Sequence, residues 1–319
     1  MAGTMRAAQY NHYGNPGVLH ESTVAVPEAR RGQVLIKVHA TSVNAIDLHV
    51  RKGDLAIATG FRFPRGSGMD FAGEIAALGD GVTGVAIGDR VWGFRNVLAG
   101  GRTAAGAEYM VTVPGKLSTA PTSIDLVDAA ALPMAAATAL LALRNHAHLK
   151  AGERVLIRGA SGGVGSAAVQ LAKAMGGEVT ALAGANNLDF VRGLGADAAL
   201  DYHAHGPDQL GKFDVILDLV GSRMAAYRSL LARRGRMVTT AITGVPYIVF
   251  STIYGPRRVR ALSASPKTRL FADVAAYVDR GELRPAIDAL YSLSDMAAAH
   301  AALEAGGGRG KQVVRVLEP

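Results

Sequence analysis

The stretch "VLIRGASGGVGSAAVQLAKAMGGEVTALAGANN", Val155 to Asn187, holds residues whose type and spacing could do chemistry. Its centre is Ala160-x-Gly162-x-x-Gly165, with Gly159 and Gly163 adding room. An apolar strand precedes it, a helix follows, and a second strand, "EVTALA", starts where a βαβ unit needs one. Gly162 lets the backbone approach a pyrophosphate, and Gly165 lets the helix pack close to the strand. The helix start offers free N–H groups and a partial positive charge to an anion. Ala160, Ser161, Gly162, Gly163, Val164 and Gly165 are therefore candidate dinucleotide-binding residues. The alternative is a glycine-rich turn of a parallel sheet with no ligand.

The end of "EVTALAGANN" bears on which dinucleotide. A site for NAD places Asp or Glu about 20 residues after the loop, on the ribose hydroxyls. Here Ala183 and Gly184 occupy that region, so no carboxylate repels a 2′-phosphate, which favours NADPH. The turn holds neither Arg nor Lys. Asn186, Asn187 and Tyr202 could donate hydrogen bonds to the phosphate; turn and helix-capping chemistry is the alternative for the two asparagines.

Other chemistries are excluded by what the chain lacks. It contains no Cys, so disulfides, thiol nucleophiles and Cys-ligated zinc drop out. Among nine histidines, His146/His148 and His203/His205 are i, i+2 pairs, which do not share a helix face. They read as surface residues, and no metal site is expected.

These residues need elements to hold them. The chain has 319 residues, 49% hydrophobic and 19% charged, which suits one large or two ordinary globular domains. The net charge of +8 has one local cluster, Arg257, Arg258 and Arg260, without interleaved aromatics. Dispersed surface charge with some field toward an anionic cofactor is the expectation, and no nucleic-acid partner. The apolar run "DAAALPMAAATALLALRNH" is interrupted by Pro133 and Thr138 and reads as a buried helix rather than a membrane span. The first residues lack the apolar core of a signal peptide, and a cytoplasmic location is expected.

Residues 1–122 read as short strands and turns, an all-β region. Helical sequence follows, capped by Ser123 or Asp125. Then apolar strands alternate with helices: "RVLIRG", "EVTALA", "AALDY", "FDVILDLV", "RMVTTAI" and "VRALSA", separated by "SAAVQLAKAMG", "NLDFVRGLG", "MAAYRSLLARRG" and "KTRLFADVAAYVDRG". This α/β pattern predicts a doubly wound, six-stranded parallel sheet of Rossmann type over 123–279. The tail closes with a helix, a glycine turn and the strand "KQVVRVL". That strand is expected to rejoin the N-terminal β domain, so that 280–319 complete it.

The chain resembles the zinc-free quinone-oxidoreductase (zeta-crystallin-like) branch of the medium-chain dehydrogenase/reductase superfamily. The resemblance rests on "MRAAQYNHYGNPGVL", "VHATSVNAIDLHVRKG", "PRGSGMDFAGEIAALGDGVTGVAIGDRVWG", "AALPMAAATALLAL", "VLIRGASGGVGSAAVQLAK", "LGADAALDY", "FDVILDLVG" and "GRGKQVV", in order and at family spacing over nearly the whole length. It implies a β-rich GroES-like catalytic domain from both chain ends, a nucleotide domain between, and a homodimer formed through the edge strand "VRALSA". "GMDFAGE" stands where the zinc-dependent branch holds its Gly-His-Glu segment.

The implied chemistry is metal-free, NADPH-dependent reduction of a quinone or of the activated C=C bond of an α,β-unsaturated carbonyl. Alternatives are an enoyl reductase dedicated to one polyketide-like or thioester intermediate, and a non-catalytic NADPH- or nucleic-acid-binding module. The developing oxyanion needs a hydrogen-bond donor. Asn44 matches the family Asn beside the nicotinamide, and His49 stands where many relatives carry Tyr; it could donate the oxyanion hydrogen bond or a proton, with a wall residue of no chemical role as the alternative. Asp70 either lines the cleft or holds backbone N–H groups, and Asp47 is read as structural. Thr138 matches the family Thr near the nicotinamide. Strand ends put Val220, Ala241, Ile242 and Thr243 at ribose and nicotinamide. Arg309 and Lys311 match a segment returning to the cleft, with plain surface charge as the alternative. The apolar stretch Thr243 to Pro256, with Tyr247, Phe250 and Tyr254, is read as a pocket wall for an apolar or aromatic substrate and a dimer-contact segment, with a plain apolar helix or loop under the sheet as the alternative.

Overall fold

In the computed structural model, which describes residues 3–95, 103–240, 251, 259–262, 265 and 267–318, the chain divides into two units. The second comprises Ala135–Ala264 and Glu282–Ala286. Its strands Arg154–Arg158, Glu178–Ala183, Ala198–Asp201, Phe213–Asp218, Leu231–Thr239 and Val259–Ala261 form one parallel sheet. Arg154–Arg158 and Phe213–Asp218 are central, and the chain winds outward from them in opposite directions. The order of travel therefore reverses between these two strands. Their middles, Val155–Ile157 and Val215–Leu217, are buried, as a sheet covered on both faces requires. Val259–Ala261, part of the stretch expected to pair with a second copy, is an edge strand.

Helix Gly163–Ala174 follows the first strand and buries Ala167, Ala168, Val169, Leu171 and Ala172. Its Gln170 grips the short return of the chain: Nε2 donates to the Arg284 carbonyl (3.1 Å), and the Arg284 N–H donates to Oε1 (3.0 Å). The expected helix over 224–235 is one turn, Met224–Arg228, because the strand already starts at Leu231, fully buried against Phe213 and Met237.

The first unit comprises Met1–Met134, Ser265–Gly281 and Ile287–Pro319. A seven-stranded sheet runs Ile287–Ser292, Lys311–Arg315, Val34–Val43, Asp70–Leu78, Arg90–Phe94, Leu117–Thr119, with Tyr109–Thr112 also pairing Val34–Val43. Lys311–Arg315 lies antiparallel to Val34–Val43, Gln312 opposite Val43, so the tail strand joins the N-terminal β region as the sequence predicts. Alternating Val34, Ile36 and Val38 point into a core with Phe71, Ile75, Val91, Met110 and Val314. A second sheet pairs Thr4–Tyr10 with His20–Ala25 and Arg65–Gly66.

The N-terminal region is not all-β. Ala45–Lys52 is an α-helix, begun by Asp47, whose Oδ2 accepts the Asn44 N–H (2.8 Å), and ended by Gly53 at φ 92°. Of the two proposed caps at 123–125, Asp125 serves: its side chain accepts the Asp128 N–H. The expected division placed 123–134 and 265–279 with the nucleotide domain, whereas their contacts lie with the first unit. The physical tie is Asp279, whose Oδ1 accepts the N–H groups of Thr122 (2.9 Å) and Ser123 (3.0 Å). Among the described residues no helix is long and apolar enough to cross a membrane.

Candidate active site

Three neighbouring antiparallel strands of the first unit bring Asn44, Asp70 and Lys311 together. The Lys311 ammonium donates to Asn44 Oδ1 (2.6 Å), the Val43 carbonyl (2.9 Å) and Asp70 Oδ2 (3.2 Å). Asp70 Oδ2 also accepts from Ser42 Oγ (2.7 Å) and Asn44 Nδ2 (2.8 Å), while its Oδ1 accepts the Met134 N–H (2.8 Å). Asp70 is fully buried, and Lys311 and Asn44 nearly so. A buried carboxylate beside an ammonium is tolerable only with such full pairing. All three Lys311 donors are in use, so its charge serves this cluster. Asn44 likewise has its amide fixed: the oxygen faces Lys311 and the nitrogen faces Asp70. Asp70 holds an N–H group and side chains, which is the structural half of its expected role.

Asp47 sits beside this cluster. Burial pushes its carboxyl up to about 7, opposed by the Asn44 N–H it accepts, with Asp70 raising and Lys311 lowering the value further. His49 is different in kind. It lies in the last turn of helix Ala45–Lys52, is 43% exposed, and its Nδ1 is 2.7 Å from Asp54 Oδ2. That pairing fixes the ring with the Nδ1 proton directed at Asp54, so Nε2 accepts in the neutral ring and donates in the imidazolium form. Arg309 is exposed on the turn before Lys311–Arg315.

The second unit presents backbone instead. Gly159 adopts φ +75°, the left-handed turn that leaves the strand. Gly165 packs so closely that a Cβ there would meet the Gly159 carbonyl oxygen at 2.1 Å. Helix Gly163–Ala174 thus starts directly on the loop. Its first N–H groups, at Gly163, Val164 and Gly165, have no acceptor within the helix. Ala160 is buried and its N–H donates to the Leu182 carbonyl (3.0 Å), joining the loop to the next strand. This cradle fits a pyrophosphate.

Beside it, buried Asn187 donates from Nδ2 to Ser161 Oγ (3.2 Å), so that residue braces the loop. Asn186 is exposed on the same turn. Strand Glu178–Ala183 ends without a carboxylate, and a side chain at Gly184 would lie 3.7 Å from the Tyr202 ring. Tyr202 is half-exposed there. Val220 is half-exposed just beyond strand Phe213–Asp218, and Thr138 is buried in helix Pro133–Leu140. Ala241, Ile242, Thr243, Tyr247, Phe250 and Tyr254 lie outside the described residues.

Sequence reasoning missed a buried ion pair at the loop. Arg158 Nη1 is 2.7 Å from Asp218 Oδ1. The signal was available: each is a charged residue closing a run of three apolar residues on a central strand.

Comparison with known proteins bears on what these groups do. Residues 30–121 match the family described as alcohol dehydrogenase GroES-like domain, and 194–314 the one described as zinc-binding dehydrogenase. Zinc finds no donor set here: the chain has no Cys, and among the described residues no three His, Asp or Glu side chains gather as a metal site. The chain is 34% identical to the quinone-oxidoreductase homolog, chloroplastic, of Spinacia oleracea, covering 98% of this chain and 99% of that one. It is 34% identical to the NADPH-dependent alkenal/one oxidoreductase, chloroplastic, of Arabidopsis thaliana, over 97% of this chain and 79% of that one. The solved quinone oxidoreductase from Coxiella burnetii superposes with a TM-score of 0.92 at 33% identity, covering 99% of this chain and 100% of that one.

Proposed function

Since this chain belongs to the medium-chain dehydrogenase/reductase superfamily, in its zinc-free quinone oxidoreductase branch, we propose that it is an NADPH-dependent reductase of quinones or α,β-unsaturated carbonyls. The observation that carries the reading is the likeness, across nearly the whole chain, to an NADPH-dependent alkenal/one oxidoreductase and to quinone oxidoreductases. The strand end at Ala183–Gly184 agrees with it, since that strand closes without the Asp or Glu that a site for NAD places there.

The N–H groups of Gly163, Val164 and Gly165 would hold the pyrophosphate, and the Asn187–Ser161 bond keeps that loop in shape. Tyr202, Asn186, Thr138 and the backbone at Val220 are the further cofactor contacts in this reading. When bound, the reduced nicotinamide supplies a hydride. In its imidazolium form His49 donates from Nε2 to the substrate oxygen as negative charge develops there, while Asp54 accepts the Nδ1 proton in a hydrogen bond and holds the ring. Asn44, Asp70 and Lys311 set the wall on which helix Ala45–Lys52, and so His49, is mounted. The substrate is an apolar or aromatic carbonyl compound or quinone.

The test is steady-state NADPH oxidation, with NADH in parallel, across quinones, small enones, enoyl thioesters and simple ketones. Turnover of quinones or enones is expected, and none of simple ketones. Absence of turnover with every quinone and enone would overturn the proposal. His49→Phe is expected to lower kcat by about 100-fold with little change in NADPH binding.

A further inference from the structure

We propose that the buried pair Arg158–Asp218 is a positioning device for the dinucleotide. It sets the spacing of the two lips at the carboxyl end of the parallel sheet, and with it the affinity for NADPH. The inference rests on the reading that this unit binds that cofactor.

Arg158 and Asp218 are register neighbours on strands Arg154–Arg158 and Phe213–Asp218. These are the strands between which the order of travel reverses. A ligand of a doubly wound sheet sits outside the carboxyl ends at that point. Arg158 immediately precedes Gly159, where the glycine loop begins. Asp218 precedes the turn that carries Val220 and Gly221.

One carboxylate oxygen ties both sides. Asp218 Oδ1 accepts from Arg158 Nη1 (2.7 Å) and from the N–H groups of Gly221 (3.0 Å) and Val220 (3.1 Å). Arg158 Nη2 reaches Ser222 Oγ (3.3 Å), and the guanidinium lies 3.6 Å from the Tyr227 ring centroid. Lip meets lip at Gly159, where a Cβ would come within 3.3 Å of Val220 Cγ2.

Fold stability alone does not call for this arrangement. An apolar pair of similar size would hold two central strands as well or better than a buried ion pair. Asp218 Oδ2 is also buried with no hydrogen-bonding partner among the described residues, a further cost. What an apolar pair could not do is fix the Val220 and Gly221 N–H groups and the exit of Arg158 on one atom. The same unit has a contrasting pair at the amino end of the sheet. Arg236 makes two bonds to Glu153 (2.7 and 2.6 Å) and reaches the carbonyls of Ala147 and His148. That pair joins elements far along the strands from the loop.

The test uses full-length protein in five forms: wild type, Arg158→Met, Arg158→Lys, Asp218→Asn and Arg236→Met. NADPH Kd is measured by fluorescence titration, and unfolding is followed without cofactor. Arg158→Met and Asp218→Asn are expected to raise the NADPH Kd about tenfold or more in folded protein, as loss of a supporting shell does. Their KM for NADPH rises, while kcat at saturating NADPH changes much less. Arg158→Lys keeps the charge but not the fork and recovers part of the affinity. Arg236→Met lowers Tm and leaves Kd unchanged. Should Arg158→Met fail to fold, Asp218→Asn, which keeps the shape, decides. Wild-type Kd in the folded Arg158 and Asp218 variants, or an equal rise in Arg236→Met, overturns the inference alone. A wild type that binds no NADPH overturns the reading beneath it as well.

Discussion

The cluster at Asn44, Asp70 and Lys311 and the loop at residues 159–165 are both polar, and they are built oppositely. The cluster is made of side chains from three separated segments of the first unit, each committed to another member. The loop is made of backbone from seven consecutive residues of the second unit, with the N–H groups of Gly163, Val164 and Gly165 lacking an acceptor within their helix. A site that is fully paired within the protein holds shape. A site with free donors holds a ligand. The difference teaches which residues to expect in contact with small molecules: the loop and His49, rather than Asp70 or Lys311.

Substitutions can break or sharpen that contrast. The largest effect is expected from Lys311→Met. It leaves Asp70 as an uncompensated buried charge and should cost about 3–5 kcal/mol, read from urea unfolding. Restored stability in Lys311→Met/Asp70→Asn would show that the charge, not the side-chain volume, is responsible.

Asp47 gives the next effect, through pH. Its folded pKa, about 7, lies above the ordinary carboxylate value near 3.8, so the folded state holds the proton more tightly than the unfolded chain. The associated stability is full below about pH 4 and is lost as pH rises through about 7, by on the order of 4 kcal/mol at most. Asp47→Asn, which can still accept the Asn44 N–H, should remove that slope from urea-unfolding free energies measured from pH 4 to 8. His300 supplies the opposite sign. Burial next to Arg51 pushes its imidazole down to about 3, so its contribution is present above about pH 6.5 and fades as pH falls toward 3.

On the loop the effects are smaller in stability and larger in binding. Gly165→Ala puts a methyl against the Gly159 carbonyl, costing about 1–3 kcal/mol. It should weaken NADPH far more than Lys311→Met does in its folded fraction. The smallest effect is expected from Ser161→Ala, which removes the Asn187 bond. A loss of about 1 kcal/mol should appear in thermal unfolding and as a modest rise in NADPH Kd.

The contrast also explains what the sequence disclosed. The glycine loop was legible because its function lies in local spacing: Gly162, Gly165 and the flanking strands are all within one βαβ unit. The parallel, two-sided sheet followed from near-continuous apolar strands alternating with helices. The Asn44–Asp70–Lys311 cluster was not legible as a unit, because strand pairing in three dimensions assembles it from residues far apart in the chain. The motif match located its members but not their partners, so Lys311 was expected at the cofactor. Helix Ala45–Lys52 was hidden by its short length; its start depends on Asp47 reaching back to the Asn44 N–H. Helix Thr268–Asp279 has the periodicity expected of it, but its contacts in three dimensions, such as the Asp279 bonds to Thr122 and Ser123 and the Phe271 ring against Phe94, reveal which unit it joins.

The most direct test of the central claim is titration of the wild-type protein with NADPH and with NADH, in the same buffer, followed by nucleotide fluorescence. If the open loop and the carboxylate-free strand end at Ala183–Gly184 define the site, both nucleotides bind and NADPH binds the more tightly, by about tenfold or more, as one charge-assisted contact would give. Tighter binding of NADH, or no binding of either nucleotide, would contradict the account.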